Sequence, residues 1–178
     1  MRTVYYSAAC SLDFFIHKGE GDTYDWIRGG PKSEAMLDAL WADTDTLVMG
    51  RKTWEVARRM MDGKPENDPF TGVHSYVVSR TLSAIDQPNA TLVQTDPVAF
   101  VRDLKMRPGK RIFAFGGAQL VSALVAAGLV DELHLSVQPV LLGGGVPLLE
   151  PLGRQVQLEL KDSSLLDQGA VQIVYRMR

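Results

Sequence analysis

The sequence predicts an α/β protein with a mixed, mostly parallel central sheet, helices on both of its faces and a C-terminal antiparallel hairpin. Three observations predict it. From residue 2 to about 139, short apolar runs rich in β-branched residues alternate with segments of helical period, the pattern of strands joined by crossover helices. After that, two strand-like segments, 155–166 and 170–178, are separated only by Asp167-Gln168-Gly169, so they must pair antiparallel. The length, 178 residues, suits one domain over 1–178 with an ordinary core.

Each element has a local reason. Residues 2–10, rich in Thr, Val and Tyr, read as the first strand. The stretch "HKGEGDTYDWIRGGP" (17–31) is a long loop with embedded charges and aromatics, a type usually tied to function. Ser33 caps a helix over 34–42, where Met36, Leu37, Leu40 and Trp41 recur at helical spacing. A buried strand at 45–50 runs into a helix at 51–60, and 62–72 is a surface loop of turn residues. Strands follow at 74–79 and 90–95. Asp96-Pro97 then supplies a cap and a first-turn proline for a helix to about 105. A strand at 111–115 leads into a helix at 118–127, ended by Gly128. In 131–139 the period is two, which puts Leu133, Leu135 and Val137 on one face.

Composition narrows the partners. The formal net charge of −2 offers no attraction for nucleic acid or an anionic membrane surface. Cys10 is the single cysteine, and the first residues lack the apolar core of a signal peptide, so a cytoplasmic location is expected. His17, His74 and His134 are scattered singly, without metal-ligand spacing, and no metal site is expected. There is no Gly-x-Ser-x-Gly elbow, no Walker loop, and no Gly-x-Gly-x-x-Gly after the first strand.

The informative stretch is "FAFGGAQLVSALV" (113–125), a strand that runs through two glycines into a helix. A helix N-terminus offers unpaired N–H groups and partial positive charge. Gly116 and Gly117 leave that end bare, so that a phosphate can reach the amides of Ala118, Gln119 and Leu120. Two further strand ends repeat the design: Gly50 followed by Arg51, Lys52 and Thr53, and Ser79 followed by Arg80 and Thr81. In open α/β sheets ligands collect at the carboxyl ends of the strands. Three such ends suggest one extended ligand with several phosphates, pinched by Arg51 and Arg80.

The segments "SLDFFI" (11–16), "DTLVMGRKTWE" (45–55), "YVVSRTL" (76–82) and "FAFGGAQLVSALVAAGLVDELHLSVQPVLLGGGVPLL" (113–149) resemble the dihydrofolate reductase-like superfamily. Within it the chain looks most like the riboflavin-biosynthesis reductase domain and its stand-alone bacterial relatives. The resemblance implies an NADPH-binding reductase, with 5-amino-6-(5-phosphoribosylamino)uracil reduction or dihydrofolate and pteridine reduction as its forms. It also implies a homodimer. The pyrophosphate would lie on Gly116 to Leu120, the adenosine 2′-phosphate near Arg51, Lys52, Thr53, Ser79 and Arg80, and the nicotinamide near Ala9 and Ile16. One departure is Phe14, where the riboflavin-type pattern has glycine after Ser-Leu-Asp. A binding subunit without catalysis is the other reading.

Hydride transfer to C=N or C=O also needs a proton, which a buried carboxylic acid with a raised pKa supplies. The resemblance puts Glu34 at the place of the substrate-binding acid, or Asp38 if the helix carries a gap, and Asp13 at a substrate-side aspartate. Trp26 in the long loop either stacks on a planar substrate or anchors the loop. "PVLLGGGVPLL" (139–149) follows a strand but opens no helix, so it reads as an irregular connection that shapes the site or a subunit contact.

Overall fold

A computed structural model describes residues 1–19, 21–60 and 70–178. Most of the surface loop expected at 62–72 lies outside the described residues. In chain order the elements are β1 (Val4–Ser11), β2 (Phe15–His17), α1 (Pro31–Ala42), β3 (Thr44–Gly50), α2 (Arg51–Met60), β4 (His74–Val78) and β5 (Ala90–Val93). Then come α3 (Pro97–Met106), β6 (Arg111–Gly116), α4 (Ala118–Ala126), β7 (Glu132–Gln138), β8 (Val146–Pro147), β9 (Leu158–Leu165), a 3-10 turn (Asp167–Gly169) and β10 (Val171–Met177). No described helix is long and apolar enough to cross a membrane.

Eight strands form one sheet in the order β5-β4-β3-β6-β1-β7-β10-β9. The strands from β5 to β7 are parallel, and β10 runs antiparallel to both β7 and β9. Alternation sorts the side chains. Tyr5, Leu47, Met49, Val77 and Phe113 pack with Leu40 of α1 and with Trp54 and Ala57 of α2. Their chain neighbours Val4, Tyr6, Val48, Ile112 and Ala114 pack on the other face with Val101 and Leu104 of α3 and Leu120, Val121, Leu124 and Val125 of α4. Two helices therefore cover each face, and the strands between them read as continuous apolar runs because both faces are buried.

Local signals placed most helix ends. The Asp96 carboxylate accepts a hydrogen bond from the Ala99 amide at 2.8 Å, and Gly128 takes φ 68° just past α4. At α1 the expected cap is corrected. The helix starts at Pro31, and Ser33 lies inside its first turn. The cap is Asp167, from the turn between β9 and β10, whose Oδ2 accepts the amides of Lys32 at 2.9 Å and Ser33 at 3.1 Å. A cap supplied from so far along the chain leaves no local trace.

The 139–149 connection is less irregular than its glycines suggest. Phe15 pairs with Pro147 and His17 with Val146, so β2 and β8 form a small antiparallel ribbon. The Leu12 amide donates to the Val140 carbonyl, and the Leu148 amide to the Phe14 carbonyl, each at 2.8 Å. Strands of two and three residues are too short to show a period, which is why both lay hidden. Phe14 keeps the left-handed conformation that glycine favours, at φ 61°, although its ring is half exposed.

Candidate active site at the carboxyl ends of the strands

Register brings the three expected junctions together. Gly50 on β3 is level with Val78 on β4, and Met49 is level with Gly116 on β6. Arg51, Ser79 and Gly117 thus leave one edge of the sheet from three adjacent parallel strands. One strand further, the sheet splits. β1 pairs with β6 only at Val4–Ile112 and Tyr5–Phe113, while β1 stays paired with β7 as far as Ser11–Gln138. The chain order also reverses here, since β6 lies between β3 and β1 and α4 carries the chain over to β7. Such a switch point opens the crevice in which α/β sheets bind ligands. Ala8 and Ala9 are half-buried there, although β1 is a central strand.

Gly117 is the N-cap of α4, at φ −77° and ψ 177°, with no side-chain cap. The Val121 amide donates to the Gly117 carbonyl at 3.1 Å. The amides of Ala118, Gln119 and Leu120 precede that bond and have no acceptor within the helix. A Cβ on Gly117 would meet only Thr53 Oγ1, at 3.5 Å, an ordinary contact. Neither its φ and ψ nor contact with atoms beyond its chain neighbours therefore demands glycine at 117. Gly116 differs, since its φ of 135° is one that other residues rarely adopt. The peptide between the two is cis.

The flanking groups are arranged unevenly. Arg51 is held by Glu55 one turn on, Nη1 to Oε1 at 2.6 Å. Lys52, Arg80 and Thr81 are exposed, and Thr53 is half-buried against the two glycines. Ser79 is buried, and its Oγ accepts the amides of Thr81 at 3.2 Å and Leu82 at 3.0 Å. Its hydroxyl therefore shapes the turn that puts Arg80 on the surface.

Across the split lies a second wall. Ser7, Ala9 and Ser11 share a face with Tyr5, level with His134, Ser136 and Gln138 of β7. These three β7 residues are buried on the face opposite Leu133, Leu135 and Val137. The Gln138 side chain donates to Ser136 Oγ at 2.8 Å and accepts the Arg28 amide at 2.7 Å, tying the long loop to the sheet. Ser136 and Gln138 were missed by sequence reasoning. The available signal was polar residues at alternate positions of an otherwise apolar strand.

Helix α1 runs from the turn between β9 and β10 to the sheet at β3 and β6. Trp41, near its C-terminal end, meets Phe113 and Phe70, with ring centroids 5.7 Å and 6.3 Å apart. Glu34 lies two turns earlier, within about 20° of Trp41 around the helix, whereas Asp38 lies about 60° away and farther from the buried Leu40. Glu34 and Asp38 are exposed, not buried as the proton-donating acid was expected to be, because the first half of α1 packs little apolar surface; Leu37 is 44% exposed. The helix is seated at its C-terminal end, and its first turns are mostly exposed.

Three of the expected residues have further contacts in the structure. The Ser11 hydroxyl, then the Leu142 and Gly143 amides at 3.0 Å and 2.7 Å, hold the Asp13 carboxyl down at about 2. Through those two amides Asp13 straps the 139–149 segment. Trp26 is only 5% exposed, and its indole N–H donates to Asp22 at 3.3 Å. It anchors the loop and offers no open face for stacking. Ile16 is half-buried and packs against the core shared with α3 and α4.

Comparison with known proteins agrees with this architecture. Residues 2–172 match the RibD C-terminal domain family. The uncharacterized protein YyaP of Bacillus subtilis is 34% identical over 181 residues, covering 98% of this chain and 94% of YyaP. A putative riboflavin biosynthesis protein from Shewanella sp. PV-4 superposes with a TM-score of 0.84 at 24% identity, over 99% of each chain. Enterococcus faecalis dihydrofolate reductase, solved with NADP(H), superposes with a TM-score of 0.68 at 14% identity, over 99% of this chain and 96% of that one. The fold is therefore dihydrofolate reductase-like, and the chain belongs to the RibD C-terminal domain family.

Proposed function

We propose that the protein is an NADPH-dependent reductase acting on a small planar heterocycle or a C=O or C=N compound. The observation that carries this reading is Gly117: a helix end left bare where φ, ψ and the packing beyond its chain neighbours would accept a side chain. NADPH would supply the hydride. The amides of Ala118, Gln119 and Leu120 would hold its diphosphate, supported by Thr53, and Arg80 with Lys52 and Arg51 would face the 2′-phosphate. The split beside Ala9 would take the nicotinamide. Ser136 and the first turns of α1 would flank the substrate, whose ring, once seated, removes water from Glu34 so that its carboxyl can pass a proton to the reduced atom.

Arg80 decides the cofactor choice. It is exposed and has no internal acid partner among the described residues, whereas Arg51 already has Glu55. NADPH is expected to bind at least about tenfold more tightly than NADH, since one charge-assisted contact contributes roughly 1.5–3 kcal/mol. Arg80→Ala should remove most of that difference. Fluorescence titration with both dinucleotides measures it, and equal affinities in the unaltered protein would refute the assignment.

The same reading includes a homodimer in the cytoplasm. Leu12, Phe14, Leu141 and Val146 are exposed beside the β2–β8 ribbon, and a second copy would cover such apolar surface. Sedimentation should give twice the chain mass, and Phe14→Asp should shift it toward the monomer. A monomeric parent protein at micromolar concentration would contradict the proposal.

A further inference from the structure

We infer that Asp167 is a positioning residue for the substrate-side acid: from the turn between β9 and β10 it sets where the first half of α1, and with it Glu34, stands over the sheet. This rests on the reading of α1 as the substrate-side helix. Apolar burial does not hold that half in place. Between residues 31 and 39 only Ser33 and Met36 are even half-buried, and Leu40 is the helix's buried residue. A helix seated by one end pivots unless something grips the other.

The grip is polar and comes from one short segment. Asp167 Oδ2 accepts the amides of Lys32 at 2.9 Å and Ser33 at 3.1 Å, and lies 3.4 Å from the Ser33 hydroxyl. The Gln168 side chain donates to the Gly29 carbonyl at 2.9 Å. A carboxylate at a helix N-terminus also suits the helix dipole. The turn itself is fixed: Leu166 is buried, its amide donates to the Ala170 carbonyl at 2.8 Å, and the Ala170 amide returns to the Asp167 carbonyl at 3.1 Å. The other side of the contact is shaped to match. A Cβ on Gly30 would lie 2.5 Å from Asp167 Cγ, so only glycine lets the carboxylate come this close. Ser33 precedes Glu34, whose amide donates to the Gly30 carbonyl at 3.0 Å. Any shift of the gripped residues therefore moves the Glu34 carboxylate, and small misplacements of a catalytic group are costly.

The test uses the full chain with NADPH bound. In Asp167→Ala, amides 32–37 should exchange with deuterium at least about tenfold faster, as expected for local opening. Exchange in α4 and the NADPH dissociation constant should stay within about twofold. With 7,8-dihydrofolate and 5-amino-6-(5-phosphoribosylamino)uracil as probes, kcat/KM should fall by about tenfold or more. Asp167→Asn, which keeps the acceptor, should recover most of the loss. The double variant Asp167→Ala/Glu34→Gln should be no slower than Glu34→Gln alone, because residues acting through one group are not additive. Gln168→Ala, a milder change that removes only the grip on Gly29, should move exchange in the same direction and guards against a variant that does not fold. Unchanged exchange at 32–37, or losses that add in the double variant, would overturn the inference. If the parent protein binds NADPH but reduces neither probe, the proposed substrate class fails, and the exchange result still decides the role of Asp167.

Discussion

Gly117→Val should leave the protein folded and weaken NADPH binding by about a hundredfold or more. The φ and ψ of residue 117 and the atoms packed beyond its chain neighbours admit the change. Valine is at home at φ −77° and ψ 177°, and its Cβ would find only Thr53 Oγ1, at 3.5 Å. A bound diphosphate has every reason to object. The isopropyl group would stand over the amides of Ala118, Gln119 and Leu120 and separate them from the phosphate oxygens. At roughly 1.5–3 kcal/mol for each hydrogen bond to a charged group, losing two accounts for about 3–6 kcal/mol, and about 1.4 kcal/mol corresponds to tenfold. Gly116 is a poorer test, because its φ of 135° would strain any replacement and confuse folding with binding. The measurement is a fluorescence titration beside a thermal melt. A variant that melts like the parent and binds NADPH equally well would remove the basis for the proposed function.

Glu34→Gln should lower kcat by about a hundredfold or more while NADPH affinity stays within twofold. General acid catalysis of this kind contributes typically about 10²–10⁴-fold. The glutamine keeps the length and shape of the side chain and loses only the exchangeable acidic proton. Asp38→Asn is the control on the same helix, and its effect should be less than about threefold, since Asp38 lies farther around from the seated side. Reversed effects in the two variants would move the acid to Asp38 and shift the α1 alignment that the resemblance suggested. Asp13 is tied to the 139–149 segment. Its carboxyl, held down at about 2 by the Ser11 hydroxyl and the Leu142 and Gly143 amides, stays ionised across the working pH range. The stability it lends the 139–149 strap is complete above the ordinary carboxylate range and fades only as pH falls through about 2.

Much of this molecule could be read before it was folded. The buried strands β3, β4 and β6 stand within a residue or two of their expected limits, because each carries its own apolar run with turn residues at its ends. The same holds for α3 and α4, where Asp96 and Gly128 act on their own neighbours. The candidate phosphate site was legible for a related reason. A strand, two glycines and a helix form one continuous segment, so the bare N-terminus exists as soon as that segment takes its local shape.

What the sequence determined by itself, then, was the alternation of strands and helices, the strand ends carrying Gly50, Ser79 and Gly117, and the family resemblance. Tertiary structure alone decided the split between β1 and β6, the polar wall of Ser136 and Gln138, the ionised strap of Asp13 and the Asp167 grip on α1. The physical reason is range. Hydrophobic period, capping and turn chemistry act over a few residues and are written in consecutive letters. The depressed carboxyl of Asp13 and the cap of Asp167 depend instead on amides more than a hundred positions away, which only packing brings within hydrogen-bond reach.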